Sequence, residues 1–192
     1  MYAIACADET MRAKVPLLEV GGSALMIESA VICEFLEELV PGDNPPSAAD
    51  KATARLFATL AQPTLSFVPI LQANIGSEEE AKEVASLVER LRALDQFLIR
   101  YATGQGPFLL GESFSLAECS LAPFVQRLVA VLPGLRPQIN PLALLEEAGL
   151  ARLGRWMQAV TQRESCVATL PPTQELVDSY AKLIERMRTA AA

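Results

Sequence analysis

Histidine is absent from this chain of 192 residues, and its absence removes several kinds of chemistry. A Ser-His-Asp triad needs an imidazole base and a Cys/His zinc site needs imidazole ligands, so neither can be built. Cysteine is scarce: Cys6, Cys33, Cys119 and Cys166 are scattered without Cys-x-x-Cys spacing. We therefore expect no metal site, and reduced, mostly buried thiols in the cytoplasm or another reducing soluble compartment.

Basic residues and long apolar runs are also in short supply. The 16 Lys and Arg residues face 23 Asp and Glu residues, and the net charge of −7 repels phosphate backbones, so we expect no nucleic-acid partner. No apolar run approaches the roughly 18 residues that span a bilayer, so no membrane span is expected. The segment Met1 to Arg12 contains Asp8 and Glu9 and is unlike a signal peptide, which argues against secretion.

The sequence does contain a hairpin signal near its start. Two short apolar runs, Val15–Val20 and Ala24–Ile27, flank the pair Gly21-Gly22. Because glycine adopts positive φ without strain, this pattern predicts two antiparallel strands joined by a tight turn. Ser29 is a candidate N-cap for the helix that the following apolar spacing predicts.

A proline-rich segment separates this part from a helical remainder. Residues 41–47 hold three prolines and one glycine, which is typical of a linker. We predict a partial domain at 1–40, a linker at 41–47 and a helical domain at 48–192. Helical spacing beyond the linker favours five segments, at 48–75 (kinked or broken by Pro63 and Pro69), 78–101, 115–132, 142–161 (with a break near Gly149) and 173–188.

Two motifs in this order resemble a known family. The first comprises Lys14–Glu19 and, after the hairpin, Ile27–Ile32, and the second is Gly106–Glu118. Leu153–Met157 and Thr169–Pro172 extend the similarity toward the C-terminus. From about residue 14 onward the chain resembles a cytosolic glutathione S-transferase (GST). The resemblance implies a mostly α protein, in which a remnant of a thioredoxin-like α/β domain (hairpin plus helix) precedes an all-helical C-terminal bundle.

The Val15-Pro16 pair has two interpretations. Proline starts a strand without difficulty, because the first residue needs no ladder donor. The resemblance implies instead that the Val15-Pro16 bond is cis, with Pro16 as a structural cis-proline. The backbone N–H and C=O of Val15 would then pair with the cysteinyl backbone of glutathione.

Glu28-Ser29 also has two interpretations. A helix N-terminus with a serine and an acidic neighbour is favourable without any ligand. The same unpaired N–H groups attract a carboxylate. The resemblance implies that Ser29 binds the α-carboxylate of the γ-glutamyl end of glutathione, while Glu28 balances its ammonium group.

The tetrapeptide Ser115-Leu116-Ala117-Glu118 is a capping box. We expect Ser115 to accept from the amide of residue 118 and Glu118 to accept from the amide of Ser115. Members of the family usually carry aspartate where this chain has Glu118, but either carboxylate closes the box. We expect this motif to serve folding and not chemistry.

The resemblance places the residue that activates the glutathione thiol ahead of the Val-Pro turn. Only 14 residues precede Val15, fewer than the roughly 30 of a βαβ unit. We therefore expect the first βαβ unit and the activating residue to be missing from the sequence as given. No nearby cation or helix N-terminus marks Cys6 as a substitute, so no catalytic residue is assigned.

Three functions follow from these expectations. The first is a GST-like protein that keeps part of the glutathione site, with impaired or no catalysis. The second is a fragment of an active glutathione-dependent transferase or reductase. The third is a non-catalytic docking subunit of a multiprotein assembly. Expected partners are glutathione, and a second copy of the chain or a larger assembly.

Overall fold

The computed structural model describes residues 15–22, 24–42 and 45–191, and the chain divides into two compact units, 1–49 and 50–192. In the first unit, strands β1 (Leu18–Val20) and β2 (Ala24–Met26) pair antiparallel, with Leu18 opposite Met26. The turn between them uses positive φ at two successive glycines, which other residues adopt only with strain. Helix α1 (Ser29–Leu39) follows.

The first unit buries little apolar surface of its own. Among the residues of this unit whose burial is described, only Ile32 is buried. Val31, Leu36, Leu39 and Val40 are exposed by 45% or more of their surface. A two-stranded hairpin is marginal unless it packs on something else, so the described part of this unit contributes little stability of its own.

The second unit is built from helices. They are α2 (Ala48–Thr64), which begins just before the unit boundary, α3 (Val68–Gln72), α4 (Glu78–Tyr101), α5 (Leu116–Leu135), α6 (Pro141–Glu147), α7 (Ala151–Gln162), α8 (Glu164–Thr169) and α9 (Thr173–Ala191). This arrangement, together with the small hairpin-and-helix unit before it, confirms the mostly α fold class that the sequence predicts.

Helices α4, α5 and α7 enclose the centre of the core. Helix α7 packs on both α4 and α5, and α9 packs on α5. Trp156 of α7 is fully buried and meets the ring of Phe57 edge-on, at 5.3 Å between centroids. Phe57 in turn stacks on Phe97 of α4 at 5.1 Å. This aromatic chain joins α2, α4 and α7 through side chains that bury large areas.

Helix α5 is more apolar than the sequence analysis allowed. By length and composition it could cross a bilayer, with a mean hydropathy of 1.3 over its most apolar window. Its buried residues recur every three or four positions, as expected for one face of a core helix. They are Ala117, Glu118, Leu121, Ala122, Val125, Leu128, Val131 and Leu132. Packing inside the second unit therefore accounts for the apolar character of α5.

The helix predicted over 48–75 is two helices. Pro63 lies in the last turn of α2, and Pro69 lies in the first turn of α3, where its missing N–H is harmless. The chain between them leaves carbonyl groups without helical partners. Arg90 of α4 donates to the carbonyls of Thr64 and Ser66 at 2.8 and 3.0 Å. The break is thus closed by a side chain 24 or more residues away, which spacing alone does not reveal.

The predicted break near Gly149 is present, and it separates α6 from α7. The short helix α8 was not predicted. Helix α9 begins at Thr173, as the sequence indicates, and continues to Ala191, three residues beyond the expected end.

The capping box at the start of α5 is part of a larger buried network. The hydroxyl of Ser115 accepts from the amide of Ala117 at 3.2 Å, and Glu118 accepts from the amide and hydroxyl of Ser115 at 2.9 and 2.6 Å. The other carboxylate oxygen of Glu118 accepts from the amide of Leu109 and the indole N–H of Trp156, both at 2.9 Å. One fully buried carboxylate therefore joins α5, the preceding loop and α7.

Two further contacts hold the loop between α4 and α5 and the start of α7. Buried Asp95 of α4 accepts from the amide of Leu153 at 2.8 Å, so a side chain of another helix satisfies the first turn of α7. Arg152 donates to the carbonyls of Pro107 and Phe108 at 2.8 and 2.7 Å. At Gly106, with φ 136°, a Cβ atom would lie 2.4 Å from the carbonyl carbon of Gly111, so no side chain fits there.

A buried ion pair closes the end of α3. Arg136 follows α5 and donates from Nε to Glu80 at 2.6 Å and from Nη2 to the carbonyls of Leu71 and Ala73, both at 3.1 Å. Arg188 of α9 donates to the same Leu71 carbonyl at 3.1 Å. Both arginines thus neutralise the negative end of a five-residue helix that could not be stable alone.

We predict that the Glu118 network is a major source of stability. Glu118→Ala leaves two backbone amides, one hydroxyl and one indole without their acceptor, and should lower the free energy of unfolding by roughly 3 kcal/mol. Glu118→Gln should cost less, because one oxygen still accepts. Denaturant titration followed by the fluorescence of Trp156, the single tryptophan, measures both. As a control, Glu89→Gln alters a side chain that is 71% exposed and should change stability by less than about 0.5 kcal/mol. Equal stability of Glu118→Ala and the wild type would contradict the prediction.

A second prediction concerns acid. The backbone N–H of Gly76, 2.8 Å away, holds the pKa of Glu80 below its ordinary value near 4.5, and Arg136 adds to this although burial opposes it. The ionised carboxylate therefore adds stability above about pH 4.5, and that contribution is lost as pH falls through the lowered pKa. The stability deficit of Glu80→Gln should be constant near neutral pH and shrink in acid. Thermal unfolding across pH 3–7 tests this, with the exposed neighbour substitution Glu79→Gln as the matched control. A deficit that grows in acid would refute it.

Candidate functional site

The start of α1 has an unusual backbone. Glu28, the residue before the helix, has φ 70° and ψ 110°. Among the described residues other than glycine, it alone has a positive φ. Such a conformation costs on the order of 1–3 kcal/mol, and residues held in this way concentrate at ligand sites.

The same helix start is open to an anion. Ser29 is not the N-cap that the sequence predicted: it is the first helical residue, and Glu28 occupies the N-cap position without a capping hydrogen bond from its side chain. The reason is the left-handed turn at Glu28, whose carbonyl already accepts from Ile32 at 3.0 Å. No acidic residue lies in the first turn of α1. The positive end of the helix dipole therefore faces solvent beside the exposed hydroxyl of Ser29.

Val15 and Pro16 precede the hairpin that leads to this helix. The Val15-Pro16 peptide bond is cis. Val15 is 76% exposed, and Pro16 is exposed as well. Val15, Glu28 and Ser29 therefore all belong to the first unit and are accessible. Val15 precedes β1 and Glu28 follows β2, so these residues lie beyond the open end of the same hairpin.

Ser115 and Glu118 are buried and have protein partners throughout. Each Glu118 oxygen accepts from two donors of the chain, as described above, so no lone pair is directed at a ligand. This geometry gives the motif a structural role, because a fully satisfied buried network rigidifies the region around it.

The cysteines are less buried than expected. Of the three that the structure describes, only Cys166 is buried, while Cys33 is half-buried and Cys119 is exposed. Cys6 lies outside the described residues. Within the described ranges, no group of three His, Cys, Asp or Glu side chains is arranged to hold a metal ion.

Sequence reasoning missed the backbone at Glu28. Asparagine, aspartate and glycine are the residues that signal a left-handed position, and glutamate does not. It also missed Asp95, Arg136 and Arg152, because their partners lie on other elements. No periodic pattern records such contacts.

Comparisons with known sequences and with solved structures both find glutathione S-transferases. The family model described as "Glutathione S-transferase, C-terminal domain" matches residues 79–159, which run from α4 into α7. Glutathione S-transferase U28 of Arabidopsis thaliana is 25% identical over 175 residues, covering 88% of this chain and 72% of the relative. A probable cytosolic glutathione S-transferase, DHAR1 of rice (Oryza sativa subsp. japonica), is 26% identical over 171 residues, covering 88% of this chain and 70% of the relative.

Solved structures share the fold. The glutathione transferase Omega 3C from Trametes versicolor is 29% identical and superposes with a TM-score of 0.63, covering 84% of this chain and 69% of that one. A rice enzyme, OsGSTU1, solved in complex with glutathione, superposes with a TM-score of 0.70 at 22% identity, covering 95% of this chain and 80% of that one. The family match within the helical unit, the curated relatives and the shared fold agree: the chain is similar to glutathione S-transferases over most of its length, and residues 79–159 match their C-terminal domain.

Proposed function

We propose that this protein binds glutathione at the start of α1 and has impaired or no catalysis of its own. The observation that carries the proposal is the left-handed Glu28 at an open helix N-terminus, followed by the exposed hydroxyl of Ser29. Backbone strain of this kind concentrates at ligand sites. A bound carboxylate would also supply acceptors for the first-turn amides of α1.

The tripeptide fits these groups by charge and by hydrogen bonding. The γ-glutamyl carboxylate accepts from the Ser29 hydroxyl and from the first-turn amides, while its ammonium group faces the Glu28 carboxylate. The backbone N–H and C=O of the exposed Val15 pair with the cysteinyl residue in the manner of an added strand. A solved relative, the rice OsGSTU1 structure, was determined in complex with glutathione, which supports the same ligand here.

The assigned residues bind and do not activate sulfur. Val15 contributes backbone groups, Glu28 a carboxylate and Ser29 a contact at the γ-glutamyl end, remote from the thiol. Thiolate formation needs a hydrogen-bond donor or cation beside the sulfur. None of the three assigned residues supplies it, so the proposal is one of binding with little or no conjugation.

We predict that Ser29→Ala weakens glutathione binding about tenfold, because it removes a hydrogen bond to a charged group. Isothermal titration with reduced glutathione measures the affinity, and a chloronitrobenzene assay measures conjugation. Ser179→Ala, an exposed serine on α9, is the matched control and should bind like the wild type. Unchanged affinity in Ser29→Ala would remove the assigned site, and rapid conjugation by the wild type would overturn the non-catalytic part.

Substitution of Glu28 by glycine separates ligand binding from folding. Glycine adopts φ 70° readily, so Glu28→Gly should leave the melting temperature unchanged or raise it. The same change removes the charge that faces the ammonium group and should weaken glutathione binding severalfold. A variant that loses stability and binds normally would show that Glu28 serves the fold only.

A docking role is the second candidate, and exposed apolar side chains on α1 favour it. Leu36 and Leu39 are 45% and 60% exposed, and Val31 in the same helix and Val40 directly after it are exposed as well. Neighbouring exposed apolar residues on one short helix are typical of an association surface. Leu36 and Leu39 lie in the second half of α1, away from its polar start.

If α1 mediates association, the protein should form dimers or larger species whose mass falls in the double variant Leu36→Lys and Leu39→Lys. Size-exclusion chromatography with light scattering measures the mass at several concentrations. Ile99→Lys, which alters a 60% exposed residue of α4, is the control and should have no effect. A wild type that is monomeric at every concentration would count against the docking role and leave glutathione binding untouched.

A further inference from the structure

A cavity between α6 and α7 lies wholly within the second unit and has no part in the proposed glutathione site. Its volume is about 540 Å³, within the rough 300–1,000 Å³ range of small-molecule sites. Leu142, Leu145 and Leu150 provide apolar lining. Leu145 and Leu150 are each only 2% exposed, so the floor of the cavity belongs to the rigid core.

Gly154 forms part of the cavity wall, at a position where glycine destabilises its helix. It lies inside α7, where glycine destabilises a helix by up to about 1 kcal/mol relative to alanine. A Cβ atom at this position would meet nothing within 4 Å. Close packing within the chain therefore does not explain the glycine, and any larger side chain would project into open space on the cavity side.

Charged and polar side chains of both signs line the same cavity. Arg155 and Gln158 lie one turn apart on α7, and Glu146 lies near the end of α6. Within the described part of the chain, the side chains of these three residues make no hydrogen bond or ion pair with one another or with other groups. A guanidinium and an amide can bind a carboxylate, while a carboxylate near a helix C-terminus attracts an ammonium group.

We propose that this cavity binds an apolar α-amino acid as an intact zwitterion. Its carboxylate accepts from Arg155 and Gln158, its ammonium group donates to Glu146, and its side chain covers the leucine floor beside Gly154. The carboxylate of a simple apolar acid would be repelled by Glu146, and the ammonium group of a simple amine would be repelled by Arg155. Only a ligand with both charges uses the whole lining.

The charge requirement gives the test its design. The ¹⁵N-labelled full chain is titrated with L-phenylalanine, with phenylacetate, which lacks the ammonium group, and with phenethylamine, which lacks the carboxylate. We expect saturable shifts of the amide signals of residues 140–158 with phenylalanine, and affinities about three- to tenfold weaker for the two single-charge compounds.

Two charge-neutralising variants should separate the ligands. Arg155→Gln should weaken the binding of phenylalanine and phenylacetate and leave that of phenethylamine unchanged or tighter. Glu146→Gln should weaken the binding of phenylalanine and phenethylamine and leave that of phenylacetate unchanged or tighter. Glu147→Gln, the exposed neighbour that does not line the cavity, is the matched control and should bind all three like the wild type.

Gly154→Leu should obstruct the cavity above its leucine floor and abolish the shifts. Circular dichroism and Trp156 fluorescence establish that this variant is folded, and if it is not, the two charge variants decide the question. The proposal is overturned if residues 140–158 show no saturable shifts, if the three compounds bind equally, or if folded Gly154→Leu still binds phenylalanine. Glutathione affinity is measured alongside, and neither outcome there bears on this cavity, because the two sites share no residue.

Discussion

The carboxylate of Glu118 is the contact on which most of the helical unit depends. Four donors converge on it: an amide of the loop before α5, the amide and hydroxyl of the N-cap residue Ser115, and the indole of α7. A buried charge is unfavourable unless it is fully hydrogen-bonded. The loss of any one donor would therefore reduce the stabilisation that the other three hydrogen bonds provide. The network therefore fixes the angle at which α7 packs beside α5, and through Trp156 it also fixes the aromatic contacts with α2. That rigid frame supports the cavity next to α7.

Arginines solve a second problem, which arises at the two helix ends between α2 and α4. The chain between α2 and α4 is interrupted twice, and each interruption releases carbonyl groups in a partly buried region. Arg90 binds one set, while Arg136 and Arg188 bind the other. The planar guanidinium offers five N–H donors in a fixed fork, against the three on a lysine ammonium, so one side chain reaches several carbonyls. The short helix α3 is thus held by side chains from α4, α9 and the residue after α5, and its stability is a property of the whole unit.

The sequence allowed the helical fold class and the capping box to be predicted, because periodic spacing and local S-x-x-E chemistry are written in neighbouring residues. It could not show that Glu118 also binds Trp156 and Leu109, since those partners lie 38 and 9 residues away. The N-cap assignment at Ser29 was wrong by one residue, because nothing marks a glutamate for left-handed backbone. The roles of Val15, Glu28 and Ser29 in binding glutathione come from resemblance and remain a proposal. The α6–α7 cavity is open partly because Gly154 has no side chain, and no sequence motif indicates this.

The contact between Gly106 and Gly111 limits how this region can diverge. The backbones touch where a methyl group would overlap the facing carbonyl, so every substitution at position 106 pushes the loop outward. That shift would carry Pro107 and Phe108 away from Arg152 and Leu109 away from Glu118. A single added carbon would thus be transmitted to the indole of Trp156, some fifty positions along the polypeptide. Mutational tolerance in this loop is set by clearance between two main-chain segments, and a laboratory-evolved library would be expected to return glycine there whatever ligand it was selected to bind.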